Sequence, residues 1–333
     1  MRIAIDAMGG DNAPFEIVKG VDIASKEYPN VQIILVGNKD KIEDCYKQLD
    51  ACMAENIAVV HTDVAVTMED DPMVVMKEKN KSSMAIGLKL LCDNEAEAFI
   101  SAGNTGALHT ASTLIVRKIH GVRRSAIATV LPLKTPILML DSGANPVVTA
   151  DILNQWAIIG SSYVNLMFNV EKPRVGLLNN GTEEHKGTPV VAEAYQLLKA
   201  NENINFVGNI ESKEIPNCPC DVLITDGFTG NITLKLIEGF GSFMFSSLKE
   251  IFTTSFITKM AFLPLKKHLK KFKKTFDASE YGGAPLLGLK KPVIKAHGSS
   301  KANDIKSAVR QAIQYCESNI IDKISNILNW EEN

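Results

Sequence analysis

The chain has 333 residues, 45% of them hydrophobic, and a formal net charge of −2. That is enough apolar material for a large core, as one α/β body or two smaller ones, and the near-neutral balance gives no global field that favours nucleic acid. The opening Met1–Asp6 reaches an acid too early for a secretory signal, no uninterrupted apolar run approaches the ~20 residues of a membrane span, and the six cysteines are scattered apart from Cys218-Pro219-Cys220, so reduced thiols in a cytoplasmic setting are expected.

Arg2–Asp6 reads as a short strand that runs into Ala7-Met8-Gly9-Gly10-Asp11-Asn12-Ala13-Pro14, and Phe15–Glu27 carries helical spacing through Ile17, Val18, Val21 and Ala24. Strands are expected at Val31–Val36, Ile57–Val60 and Ala98–Ser101, and helices at Lys41–Ala54, Pro72–Lys79 and Ser83–Cys92. After Gly103-Asn104-Thr105-Gly106 a helix is expected to about Ile119, then strands at Ala126–Val130 and Ile137–Leu140 around a Pro132–Pro136 turn that suggests a hairpin. Asp141-Ser142-Gly143-Ala144-Asn145-Pro146 leads into a helix through Trp156 to about Met167. Arg174–Leu178 feeds a dense polar loop, Asn179 to Gly187, ahead of a helix from Pro189 to Leu198. Ile204–Val207 and Asp221–Ile224 are further strands, a long helix starts near Ile232, and a last helix runs from about Asn303 to Leu328. This alternation predicts an α/β fold, a Rossmann-like mostly parallel sheet with helices on both faces, as a single α/β domain over residues 1–333 with a helical excursion at 245–276.

Five strands end in similar punctuation: Asp6–Asn12, Gly103–Ala107, Asp141–Asn145, Asn179–Gly187 and Asp226–Asn231. Each mixes glycine with Asn, Asp, Ser or Thr, and most open a helix. Glycine admits close backbone approach and a helix N-terminus offers unsatisfied N–H donors, a combination that favours anions such as phosphate. Any one loop by itself is better explained as caps and tight turns; five at strand ends together favour a binding crevice. No G-x-x-x-x-G-K-[ST] occurs and no G-x-G-x-x-G follows a strand, which points away from P-loop and dinucleotide chemistry. No histidine, cysteine or carboxylate spacing marks a metal site; His61, His109, His120 and His268 stand alone, with His109 and His120 read as structural.

The opening Met1–Pro14 block resembles that of the bacterial phosphate acyltransferases of phospholipid synthesis, the acyl-ACP:phosphate transacylases. Ser101–Ala107, Asp141–Asn145, Glu183-Glu184-His185-Lys186-Gly187, Asp226–Asn231, Tyr281–Gly288 and Ala296-His297-Gly298-Ser299-Ser300 match in order, from residue 1 to about 315. The resemblance implies transfer of a fatty acyl group from acyl-ACP to inorganic phosphate, giving acyl-phosphate and free ACP. It implies a fold akin to isocitrate dehydrogenases and phosphate acetyltransferases, with no cofactor and no metal. It also implies a homodimer, cytoplasmic but peripheral to the inner face of the cell membrane, whose product feeds a membrane-bound glycerol-3-phosphate acyltransferase.

Such a reaction needs an anion site, a donor for the developing oxyanion, and support for a leaving thiolate. Phosphate is expected at Gly103, Asn104, Thr105 and Gly106 with Asn145 nearby, and Asp226 joins the substrate-binding residues. Lys186 would supply charge and Asn231 would donate to the carbonyl oxygen. His185 is either a proton donor, since imidazole titrates near neutrality, or a supporting hydrogen-bonding residue. Asn231 is alternatively the N-cap of the long helix, Lys186 a solvated loop lysine, and Glu183 and Glu184 either orient Lys186 or cap the next helix. His297 and Ser299 face the crevice or make a turn. With no G-x-S-x-G elbow and with Cys218 and Cys220 placed before their strand, direct attack by phosphate without a covalent enzyme intermediate is expected.

From Leu248 to Phe276 the alternation stops. Leu248, Ile251, Phe252 and Phe256, then Leu265, Leu269, Phe272 and Phe276, recur at helical spacing around Pro264, and Lys266, Lys267, Lys270, Lys271, Lys273 and Lys274 carry six charges. Removing those six from a net −2 leaves −8 elsewhere. A protruding amphipathic helical hairpin is expected, as a membrane-surface contact, a dimer contact or a dock for acidic ACP. Two other functions stay open: a dehydrogenase on a related fold, which would need a nicotinamide site, and a non-catalytic ACP- or lipid-binding regulator.

Overall fold

The computed structural model describes residues 1–131, 133–255, 258, 260, 262, 265 and 282–330. Ile3, Ala4 and Ile5 on β1 (Arg2–Asp6) are at most 1% exposed, so both faces of the strand are covered. A parallel strand built this way reads as a continuous apolar run, with no alternation of polar and apolar positions. β1 lies parallel to β2 (Gln32–Gly37) on one side, with Ile5 opposite Leu35, and to β4 (Ala98–Ser101) on the other, with Ile5 opposite Ile100. β3 (Ile57–His61) continues parallel beyond β2.

The chain forms two compact units, residues 1–129, 158–171 and 279–333 in the first, 130–157 and 172–278 in the second. In the first, β11 (Val293–Lys295) lies parallel to β4, and β10 (Ala284–Leu287) pairs antiparallel with β11 and with Ala126 and Ile127 of β5 (Ala126–Leu131). Four helices follow the strands: α1 (Phe15–Glu27), α2 (Lys39–Gln48), α3 (Ser83–Cys92) and α4 (Thr105–Ile115). In the second unit β6 (Ile137–Leu140), β9 (Val222–Ile224), β7 (Arg174–Asn179) and β8 (Asn205–Glu211) are parallel, in the spatial order β6-β9-β7-β8. α6 (Pro189–Ala200) and α7 (Gly227–Thr253) belong to it, while α5 (Ala150–Phe168) begins in the second unit and ends in the first. Leu133, Ile137, Met139, Leu178, Ile210 and Leu223 make the core of the second unit, with Leu234 and Ile237 of α7 against it. The fold is therefore α/β with mostly parallel strands and covering helices, as the alternation predicts.

Several expected boundaries shift. α7 begins at Gly227, five residues before Ile232, because Asp226 accepts the Thr229 N–H at 2.8 Å and starts the helix. Pro72–Met76 is a short 3-10 turn, not a helix to Lys79. The last helix is two, α8 (Ala302–Glu317) and α9 (Ile320–Trp330), split where Asn319 turns left-handed at φ 53°; asparagine tolerates that conformation better than other non-glycine residues. Pro132, which opens the expected Pro132–Pro136 turn, and Lys266–Lys274 in the second arm of the hairpin lie outside the described residues. Among the described residues no helix is long and apolar enough to cross a membrane.

Candidate active site

In the first unit, β1, β4 and β11 are mutually parallel and end on one edge, which brings their following loops together. Asp6, 2% exposed, closes β1; its carboxylate accepts the Met8 N–H at 3.1 Å and the Ser101 hydroxyl at 2.8 Å. Burial pushes its pKa up, opposed by those hydrogen bonds. Ser101 Oγ in turn accepts the Gly103 N–H at 3.0 Å. A Cβ on Gly9 would lie 2.7 Å from the Gly103 nitrogen, so only glycine lets the two loops touch. Asn104 caps α4: Oδ1 accepts the Ala107 N–H at 3.0 Å while Nδ2 donates to the carbonyls of Met68 and Asp70, each at 3.0 Å. With Gly103 and Ala107 satisfied, the amides of Thr105 and Gly106 open the helix with no hydrogen-bond partner among the described residues. That is the expected chemistry of an anion site. Beside it, Lys295 at the end of β11 is 7% exposed; Nζ donates to the Ala102 carbonyl at 3.2 Å and to that of Ala296. Burial draws the ammonium down to about 8, against the pull of Asp11 and Asp6. His297 and Ser299 close a local turn, Oγ to Nδ1 at 2.8 Å, and the Gly298 carbonyl accepts the Asp11 N–H at 2.8 Å.

The second unit presents β6, β9 and β7, again parallel, with their loops at one edge. Asp141 is fully buried, and its carboxylate gathers the N–H groups of Gly143, Ala144 and Asn145 and the Asn145 side-chain amide. The amides of this loop therefore point inward onto a carboxylate. A Cβ on Gly230 would lie 1.9 Å from the Asp141 carbonyl oxygen, so the first turn of α7 presses directly on the loop. Asn231, one turn into α7, is set against Gly143, where a Cβ would come within 3.3 Å of its Nδ2. After β7, Asn179 Nδ2 donates to the Lys186 carbonyl at 3.0 Å and the Lys186 N–H donates to Glu183, which shapes the loop. The Lys186 ammonium has no ion-pair or hydrogen-bond partner among the described residues, and His185 is exposed. Glu184 pairs with Lys199 at 2.7 Å and not with Lys186, and Thr188 caps α6; neither glutamate takes the expected capping role.

A cavity of about 510 Å³ opens beside these loops within the second unit. Leu153, Leu177 and Val191 give it apolar walls, while Thr188, Asp226 and Thr233 give it polar ones. Cys220 lies at the opposite, N-terminal end of β9, buried, with its thiol pushed up to about 12 by desolvation, which makes it a poor nucleophile.

A family model described as a fatty acid synthesis protein matches residues 1–323. The chain is 46% identical over 326 residues to the phosphate acyltransferase of Alkaliphilus oremlandii, covering 98% of this chain and 96% of the relative. It is 42% identical over 334 residues to that of Bacillus subtilis, covering 100% and 99%. The chain belongs to the phosphate acyltransferase family. Its fold is shared with a phosphotransacetylase from Streptococcus pyogenes, with a TM-score of 0.64, 16% identity and coverage of 95% and 94%. The EutD phosphotransacetylase from Staphylococcus aureus gives 0.59, also at 16% identity, over 95% and 94%.

The residues expected to form the site of this acyltransferase fall into two groups. Gly103, Asn104, Thr105 and Gly106 belong to the first unit; Asn145, His185, Lys186, Asp226 and Asn231 belong to the second. Within the second, the loops bring Asn145, Asp226 and Asn231 onto the Asp141 turn. Asn145 is 3% exposed and spends its amide on Asp141, and Asp226, not Asn231, is the cap of α7. Two features escape the sequence reading. Asp6 and Asp141 each organise a loop; the pattern of an apolar strand ending in aspartate before small residues is the signal. Lys295, the lone charge within Val293-Ile294-Lys295-Ala296, is the other.

Proposed function

We propose that this enzyme transfers a fatty acyl group from acyl-ACP to inorganic phosphate, releasing acyl-phosphate and free ACP, with no covalent enzyme intermediate. The observation that carries the reading is the end-to-end match to phosphate acyltransferases. In this scheme the Thr105 and Gly106 amides hold phosphate at the N-terminus of α4. A phosphate oxygen attacks the thioester carbon, the C–S bond breaks, and the thiolate departs. Asn231 donates to the carbonyl oxygen as charge develops there, Lys186 offsets the negative charge, and His185 protonates the leaving sulfur. Asn145 and Asp226 serve by holding the loops that carry these groups. The cavity beside Asn179 and Thr233 receives the acyl donor, whose chain of amides and methylenes suits walls of mixed polarity. Purified protein with acyl-ACP and phosphate is expected to release free ACP only when phosphate is present; release that is independent of phosphate would refute the scheme.

The exposed apolar stripe along α7, Phe228, Ile232, Leu236, Phe240 and Phe243, each at least 54% exposed, supports a homodimer, and the cationic segment after it supports contact with an anionic bilayer. Acyl-phosphate made at that surface would pass to a membrane-bound glycerol-3-phosphate acyltransferase.

A further inference from the structure

We infer that Lys295 is a positioning residue for phosphate: it grips the carbonyls of Ala102 and Ala296 and so fixes the aim of the Thr105 and Gly106 amides. The inference rests on the reading of that turn as the phosphate site. The turn is held at three points. Asp6 and Ser101 take one end, through the Ser101 hydroxyl and the Gly103 N–H. Asn104 takes the other, bonded to the 67–70 loop and to the first turn of α4. Between them the Ala102 carbonyl is bound by the Lys295 ammonium, which also binds Ala296, the residue that precedes His297. An ammonium offers several donors from one atom and bridges two carbonyls on neighbouring strand ends; no neutral aliphatic side chain does so.

A lysine buried this deeply is a poor choice for stability alone. Among the described residues it makes no ion pair, only these carbonyl bonds, and the nearby carboxylates Asp6 and Asp11 act at longer range. An apolar replacement of similar length removes the buried charge but leaves two carbonyls without that donor, so the two effects on the fold oppose each other. A charge placed where it burdens the fold is accounted for if it serves the site instead.

The test compares Lys295→Met, Lys295→Arg and Thr105→Pro in steady-state kinetics against phosphate, with melting temperatures. Proline suits Thr105, the first helical residue, after an Asn104 already extended at ψ 122°. Thr105→Pro removes one proposed phosphate donor and raises the KM for phosphate if the turn is the site; if that KM is unchanged, the phosphate reading of the turn fails. Lys295→Met is expected to raise the KM for phosphate about tenfold with kcat within about threefold, at a melting temperature close to wild type, and Lys295→Arg to restore most of the affinity. If Thr105→Pro raises the KM and Lys295→Met does not, this inference alone is overturned. A Lys295→Met protein that fails to fold also overturns it, because the lysine would then be a support of the fold.

Discussion

Lys186 is the residue on which the proposed chemistry leans most. Its backbone is fixed at both ends, by Glu183 and Asn179, while its ammonium has no partner among the described residues. Removal of a charge that acts only as the transition state forms lowers kcat and leaves the fold intact. Lys186→Ala is expected to lose about 100-fold in kcat at an unchanged melting temperature, and near wild-type turnover would remove it from the mechanism. Direct attack makes the complementary prediction that a protein with all six cysteines replaced by alanine keeps measurable turnover. Lys295 gives a pH dependence with a definite sign. Its folded-state value, about 8, lies below its ordinary 10.5, so the cost of the buried charge is fully present below pH 8 and fades as pH rises toward 10.5. Wild-type stability relative to Lys295→Met should climb by up to about 3 kcal/mol across that window in chemical denaturation, and a flat difference would contradict it.

At the scale of elements, the sites are built by glycines that let helix ends press on strand ends. Gly230 is the sharpest case. A methyl group there would meet a backbone carbonyl, Asp141 O at 1.9 Å, which cannot swing aside as a flexible side chain could. Gly230→Ala is expected to cost about 2–3 kcal/mol in chemical denaturation, as overpacking does, and a loss under about 0.5 kcal/mol would mean that the contact is loose. The same contact sets Asn231 against Gly143, so a displaced α7 should also lower turnover. Most of these elements are legible in the sequence. Buried parallel strands such as Ile3-Ala4-Ile5 announce themselves as apolar runs, and caps such as Asn104 and Asp226 sit where helix-start chemistry puts them. The split at Asn319 is not legible, because the apolar spacing continues across a residue whose left-handed turn leaves no mark in the pattern.

For the whole molecule, six lysines within nine residues oppose a net −8 elsewhere, so the proposed attraction to an anionic surface would be local and screened by salt. Phe262→Glu combined with Leu263→Glu should weaken sedimentation with anionic vesicles, as should added salt; undiminished binding would sink the membrane reading. The α7 stripe makes a separate prediction: Leu236→Glu with Phe240→Glu should shift a dimer to monomer in analytical ultracentrifugation.

The sequence by itself determined the α/β class, the strand-end loops and the family, because apolar runs, cap residues and ordered motif blocks are local properties of the chain. The tertiary structure alone decided which loop amides are spent on Asp141 and which, at Thr105 and Gly106, have no partner among the described residues. It alone revealed that Lys295 is buried against carbonyls and that α7 bares an apolar face from Phe228 onward. Those facts depend on which groups distant segments bring within hydrogen-bond reach, and no local pattern encodes that reach.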